Sequence, residues 1–250
     1  MPRRISPAGV VVLAIAGVAA GALAWDRLVK PHVIPKRFHE VAAGTIYRSG
    51  KLTPAAMEQV VRGHDIKTIV DLGAWVDDPR GERLEARTAD VLGVERHVFD
   101  LIGDSTGDPN DYVEALRLMT DPANQPVLVH CGAGTERTGM LVYMYRRIVE
   151  GATPEDAMRE ARRIGHSPSR NPHLAEMIER WEPEITRAFR EGGAIDVGAA
   201  RGRGDPAPAA TPEDPGPDGP TPSGAAGTGS PPEAGNPGVA GPGTPSGSPD

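Results

Sequence analysis

The ten residues His130-Cys131-Gly132-Ala133-Gly134-Thr135-Glu136-Arg137-Thr138-Gly139 constrain this chain more than any other stretch. They follow the apolar run Pro126-Val127-Leu128-Val129 and precede a run from Met140 to Val149 whose pattern suits a helix. The sequence therefore predicts strand, tight glycine-bearing loop, helix start. Such a loop aims successive backbone N–H groups at one spot, and the helix N-terminus adds partial positive charge there. That spot binds an anion. It also holds the only cysteine of the chain, with an arginine six residues later.

Each residue type has a chemical reason to be there. A free thiol has a pKa of about 8.5, so little of it is nucleophilic at neutral pH. Backbone N–H groups and the helix end stabilise the thiolate of Cys131, and the same groups suit the non-bridging oxygens of a phosphate. Arg137 presents a planar fork able to hold two of those oxygens. Gly132 and Gly134 permit unusual backbone angles and close approach of a ligand. Ala133, Thr135 and Glu136 complete the loop around the substrate. Thr138 can donate its hydroxyl to the sulfur and ease departure of the thiolate. His130 is read as a structural hydrogen-bonder under the loop. A lone cysteine is more often a buried, inert core residue. Here the glycines, the arginine, the threonine and the following helix all point to chemistry instead.

The pattern His130-Cys131-x-x-Gly134-x-x-Arg137-Thr138 resembles the signature of the cysteine-dependent protein tyrosine phosphatases. The wider stretch from Phe38 to Trp181, with Tyr47-Arg48-Ser49-Gly50 near its start, is similar to the bacterial dual-specificity-like branch. The resemblance implies a phosphocysteine intermediate, an aspartate general acid, no metal and no cofactor. In that family the acid sits on a mobile loop after a strand upstream of the cysteine. Asp104, which follows Gly103 in such a loop, is the first candidate. Asp100 at the strand end comes next, then Asp108, for which a helix N-cap is reason enough. Asp71 follows a different strand and is weaker. The Trp-Pro-Asp triplet of the larger tyrosine-specific enzymes is missing.

The surrounding pattern alternates strand and helix. Phe38 to Val41 and Thr45 to Arg48 form a strand pair, and Thr53-Pro54 starts a helix. Ile66 to Leu72 is a strand, Glu82 to Leu92 a helix ending at Gly93, Val94 to Leu101 a strand, and Asp108-Pro109 to Leu118 a helix. Two more helices, Thr153-Pro154 to Ile164 and Pro172 to Phe189, follow the signature helix. This predicts an α/β fold of the dual-specificity-phosphatase type, a mainly parallel central sheet flanked by helices. The loop lies at the carboxyl end of a strand, where such sheets hold ligands.

Both ends differ in composition from this core. Arg3 and Arg4 precede an uncharged run from Ile5 to Trp25 with an apolar centre, Val10 to Ala24. Residues 1–25 read either as a membrane anchor or as a signal peptide cleaved after Ala22-Leu23-Ala24. The anchor is favoured, with the catalytic domain outside the cytoplasm; secretion after cleavage or a cytoplasm-facing domain are the alternatives. Residues 26–37 are a linker, 38–190 the catalytic domain, and 191–250 a Gly/Pro-rich tail expected to be disordered.

A net charge of −7 argues against a general nucleic-acid partner. The expected substrate is a phosphorylated protein or small phosphoester. Lipid and inositol-phosphate phosphatases of the resembling superfamily carry lysines in the variable loop positions, whereas Glu136 repels multiple phosphates if it faces the pocket. A phosphoprotein phosphatase, phosphotyrosine first and phosphoserine or phosphothreonine second, is therefore expected. The alternatives are an inositol-phosphate or phosphoinositide phosphatase and a membrane-tethered phosphate-binding pseudophosphatase. A rhodanese-type sulfur transferase is more distant, since Arg137-Thr138 favours phosphate.

Overall fold

The structure is a computed structural model that describes residues 7–201. A five-stranded sheet lies at its centre: β1 (His39–Ala42), β2 (Ile46–Gly50), β3 (Thr68–Asp71), β4 (Glu95–Val98) and β5 (Val127–Cys131), in the order β1-β2-β5-β3-β4. Only the β1–β2 pair, joined by a short turn, is antiparallel; β5 runs parallel to both β2 and β3, and β3 to β4. The sheet is thus mixed, with the expected parallel centre.

The period-two alternation of the strands sorts side chains to two cores. Val127, Val129 and Cys131 of β5 face one apolar layer, built with α5 (Pro109–Thr120), α6 (Glu136–Ile148) and α8 (His173–Glu191). Leu128 faces the other, against α3 (Pro54–His64) and α4 (Pro79–Leu92). α7 (Pro154–Ile164) packs beside α6. Local chemistry sets several helix starts. The side chains of Thr53, Asp78, Asp108 and Thr153 each accept a bond from a backbone N–H of the first turn, and a proline follows each of them. Gly93 closes α4 at φ 68°, as its sequence predicts.

Four expectations need correction. β4 ends at Val98 rather than Leu101, because the chain beyond it turns toward the signature loop and Leu101 gives its carbonyl to Arg137. α6 begins at Glu136, so the signature itself supplies the first helical turn. At the N-terminus, α1 (Pro7–Ala24) continues through a π-helical turn, Trp25–Val29, into α2 (Lys30–Val33), where a plain linker was expected. Ile15, Val18 and Leu23 of α1 are exposed. An 18-residue helix is about 27 Å long, just short of a hydrocarbon core of roughly 30 Å. Among the described residues no helix is long and apolar enough to cross a membrane, so the expected anchor is not supported. Residues 1–6 lie outside the described part.

The fourth correction concerns the tail. Its larger part, from residue 202, lies outside the described residues, but its start is built into the domain. Ile195 is only 4% exposed and belongs to the α5–α8 core. Asn110 receives the Ile195 N–H at 2.7 Å and donates to its carbonyl at 3.1 Å, and Arg117 donates to the Gly193 carbonyl at 2.7 Å. A single isoleucine is invisible in a glycine-rich composition, yet it seals the end of the core. A further helix, α9 (Val197–Arg201), follows. Removal of residues 192–250 is therefore not neutral. Ile195→Ala should lower the free energy of urea unfolding by about 2–4 kcal/mol; an unchanged midpoint would show that this segment does not pack.

Candidate active site

Cys131 ends β5, and the loop after it turns back over its sulfur. The Gly134 N–H donates to Cys131 Sγ at 3.2 Å. Gly134 sits at φ 78°, and a Cβ there would come within 2.6 Å of the Gly50 nitrogen, so a side chain is excluded both by conformation and by space. Gly132 has no such backbone demand; a Cβ there would meet Arg137 Nη2 at 3.4 Å, so its smallness keeps the loop open toward the arginine. Burial alone would push the Cys131 thiol up. The Thr138 hydroxyl and N–H, the charge of Arg137 and the Gly134 N–H outweigh it and hold the thiol below its ordinary value. The Thr138 hydroxyl is wholly buried and has no hydrogen-bond partner among the described residues, and its nearness to Cys131 is the first influence that lowers the thiol.

Arg137 is buried and anchored by one edge. Its Nη1 donates to the carbonyls of Leu72 at 2.9 Å, Leu101 at 3.1 Å, and Gly73. Its buried Nε has no partner among the described residues. An unpaired guanidinium N–H in a dry site is costly unless an anion completes it. Gly73, at φ 72°, lets the β3 loop approach this closely, since a Cβ would lie 3.0 Å from Nη1.

Glu136 does not face an anion. Its carboxylate accepts from buried His166 at 2.7 Å and from Asn171 at 3.0 Å. The expected repulsion is therefore directed away, and His166 serves the loop from behind rather than the substrate. Asn171 also donates to the Asp104 carbonyl at 2.8 Å. The segment carrying the acid candidates is thus tied to the signature twice, through Leu101 to Arg137 and through Asp104 to Asn171 and Glu136.

The candidates differ in surroundings. Asp108 caps α5 by accepting from the Asn110 N–H at 2.9 Å. Asp100 is exposed, two residues past the end of β4. Asp104 is half-buried; its carboxylate accepts from the Thr106 N–H at 2.9 Å and its hydroxyl at 2.6 Å. Burial raises its pKa, but these bonds and the charge of His173 bring it below the usual value. Buried Tyr112 donates to the Ser105 carbonyl at 2.7 Å, and burial holds its phenol well above its ordinary value.

Asp71 is fully buried and structural. It accepts from the Ala74 N–H at 2.6 Å and from Arg96 at 2.5 Å. Arg96 also pairs with Glu82 and Glu85, and Glu85 accepts from Trp75 at 2.7 Å and sits 3.1 Å from His130 Nε2. The spacing of Asp71, Glu85 and His130 could suit a metal ion, but Arg96 and Trp75 already occupy the carboxylates. This charge network lies under the loop, and only His130 was visible as its member from sequence. Arg48, 1% exposed, donates to the Gly134 carbonyl at 2.9 Å. Lys36 and Arg37, taken as linker, donate to the carbonyls of Gly132 at 3.0 Å and Ala133 at 2.9 Å.

Against known proteins, the family described as "DSP-PTPase phosphatase fused to NAD+ Kinase" matches residues 35–176, more than half of the chain. The chain is 29% identical over 143 residues to the dual specificity protein phosphatase TpbA of Pseudomonas aeruginosa, covering 57% of this chain and 59% of that protein. It is 34% identical over 129 residues to the inositol diphosphatase DSP2 of Oryza sativa subsp. japonica, covering 50% and 60%. The solved core catalytic domain of the PP-IP phosphatase SIW14 from S. cerevisiae, in complex with citrate, shares the fold at a TM-score of 0.53 and 24% identity, over 63% of this chain and 93% of that one. The chain thus spans about three-fifths of the length of the curated relatives it matches.

The network beneath the loop makes a prediction about pH. Burial alone would lower the His130 pKa, but Glu85 and Asp71 raise it to about 9. A raised histidine contributes stability that is complete below its unfolded value, about 6.5, and is lost as pH rises through the folded value. The depressed thiol of Cys131 acts in the opposite direction, so the measurement belongs in a Cys131→Ser background. There the urea-unfolding free energy should fall between pH 6.5 and 9. A flat profile over that window would mean that His130 is neutral in the folded protein.

Proposed function

The chain belongs to the dual-specificity-like branch of the cysteine-dependent protein tyrosine phosphatases, and on that premise we propose that it hydrolyses phosphomonoesters of proteins through a phosphocysteine. The observation that carries this reading is the pairing of a stabilised Cys131 thiolate with an Arg137 whose Nη1 is fully engaged while its buried Nε lacks a partner. A phosphate dianion over the loop would complete that group and place phosphorus above the sulfur.

In the first step the Cys131 thiolate attacks phosphorus, the S–P bond forms and the ester P–O bond breaks. The protonated carboxyl of Asp104 delivers its proton to the leaving oxygen. In the second, water attacks phosphorus and gives a proton to the Asp104 carboxylate. The P–S bond then breaks and the thiolate departs toward the Thr138 hydroxyl. Asp104 is the preferred acid because its loop is pinned to both Arg137 and Glu136. Its bonds to Thr106 favour the ionised form, so proton delivery requires the carboxyl to turn away from Thr106 when substrate is bound.

A specific observation favours a second reading, an inositol-polyphosphate or phosphoinositide substrate. Glu136 is turned away, and cations reach the loop from outside the signature. Lys51 Nζ lies 4.4 Å from the centre of the Trp75 ring, and its Cε is 3.7 Å from where a Gly132 Cβ would stand. Lys36 stands beside them, its pKa lowered by burial and by the neighbouring Arg37 and Lys51. Phosphate release from a phosphotyrosyl peptide and from an inositol polyphosphate, compared at equal concentration, separates the readings. The inositol reading also requires that Lys51→Met cost the polyphosphate several-fold more than the peptide.

Export of the catalytic domain is proposed on the exposed apolar surface of α1 together with Ala22-Leu23-Ala24. A mature protein starting at Trp25 in the extracellular fraction is the expected result; an intact chain confined to the cytoplasm refutes it.

Two substitutions test the chemistry. Cys131→Ser should abolish turnover while retaining orthophosphate binding, because the N–H cradle survives the exchange. Asp104→Asn should slow single-turnover cleavage of alkyl phosphates by about 10²–10⁴-fold and spare activated aryl phosphates by comparison. If Asp100→Asn shows that leaving-group dependence and Asp104→Asn does not, the acid is Asp100.

A further inference from the structure

Three cations address the outer side of the signature loop, one peptide after another. Lys36 Nζ donates to the Gly132 carbonyl at 3.0 Å, Arg37 Nη1 to the Ala133 carbonyl at 2.9 Å, and Arg48 Nη2 to the Gly134 carbonyl at 2.9 Å. In a trans peptide the N–H points opposite to the C=O. The partners of these three carbonyls are the N–H groups of Ala133, Gly134 and Thr135, which are thereby turned to the inner side. For Gly134 the consequence is visible, since its N–H meets Cys131 Sγ at 3.2 Å.

A charge at the carbonyl end does more than orient. Withdrawing electron density from the oxygen polarises the whole amide and strengthens its N–H as a donor, as in any hydrogen-bond chain. The arrangement is also firmly held. The Gly50 N–H donates to the Lys36 carbonyl at 2.8 Å, and Thr53 donates to the Pro31 carbonyl at 3.0 Å. Arg37 sits at φ 48°, a region that non-glycine residues adopt only when their surroundings compel it.

We propose that Lys36 and Arg37, together with Arg48, are positioning residues of the reaction, which hold and polarise three consecutive loop peptides so that their N–H groups stabilise the Cys131 thiolate and the bound phosphoryl group. Nothing in the signature encodes this role, and two of the three residues come from the segment leading out of the N-terminal helix. The proposal rests on the phosphocysteine reading for its purpose but not for its measurement, which concerns the free thiol.

Charged and titratable groups act on Cys131 from every side. Arg137 belongs to α6, His130 to β5, Arg48 to β2, Lys36 to the N-terminal segment and Tyr112 to α5, and Asp104 lies on the loop before α5. The test must therefore change the outer cations alone. Because Cys131 is the only cysteine, its titration is read from thiolate absorbance of the full chain, as the difference from a Cys131→Ser counterpart. The double variant Lys36→Met/Arg37→Gln should raise the midpoint by about one pH unit. Lys36→Arg and Arg37→Lys, which keep charge and donor, should restore most of it. An unmoved midpoint in a double variant with wild-type melting temperature overturns the proposal. If that variant is unstable, Lys36→Met alone should still give a smaller upward shift, and no shift there overturns it equally. Failure of the wild-type chain to release phosphate from an aryl ester would instead defeat the phosphatase reading and leave the midpoint comparison intact.

Discussion

The Arg137 guanidinium ties the functional end of this molecule together. One nitrogen, Nη1, gathers the adjacent carbonyls of Leu72 and Gly73 just past β3 and that of Leu101, bringing together two segments separated in sequence by α4 and β4. Each would otherwise be a buried acceptor seeking a partner. The same contact sets the rotation of the guanidinium, so its remaining N–H groups cannot turn away from the loop. Anchoring and function are one interaction: the edge that binds the protein dictates the edge left for an anion.

Beneath the loop the protein spends buried charge rather than apolar packing. Asp71, Glu82 and Glu85 share Arg96, and Glu85 also holds His130. Removing such charges from water is expensive, and the attraction inside merely offsets it, so the network is weak evidence for stability. Its effect is geometric. Asp71 receives the Ala74 N–H and thereby shapes the β3 loop that carries Gly73 and Trp75. His130 precedes Cys131 by one residue and is fixed from α4 through Glu85. The directional bonds of this network hold the loops that flank Cys131, which the attack of sulfur on phosphorus proposed above requires.

What was legible in the sequence follows from how locally each feature is encoded. The signature is contiguous and chemically specific. The helix starts at Thr53, Asp108 and Thr153 and the stop at Gly93 are read from neighbours three or four residues away. The outer cations could not be read, because Lys36 and Arg37 reach carbonyls 96 residues downstream. Glu136 looked repulsive because its partners, His166 and Asn171, lie 30 and 35 residues beyond it. Ile195 was hidden for a different reason. Window-averaged composition cannot distinguish one isoleucine that fills a core from one that does not. Asp71 was a candidate acid only because a strand-end aspartate has the same sequence appearance whether it faces substrate or a buried arginine.

On the proposed reading a chain carrying a net charge of −7 binds a dianion against its own overall field, and the arrangement of charge explains how. The Debye length at physiological ionic strength is about 8 Å, so distant surface carboxylates are largely screened at the loop. What remains is the near field. There Arg137 and Arg48 are buried, and His130 is held protonated by its carboxylates. Glu136, the one acid inside the signature, has its oxygen taken by His166 and Asn171. Salt should therefore weaken the contribution of half-buried Lys51 more than that of the fully buried groups. On the inositol-polyphosphate reading, selectivity for a second phosphate, which Lys51 would read, is then the salt-sensitive property of this site. On the proposed reading, the direct contacts to the phosphoryl group come from buried, oriented donors such as Arg137 and are less sensitive.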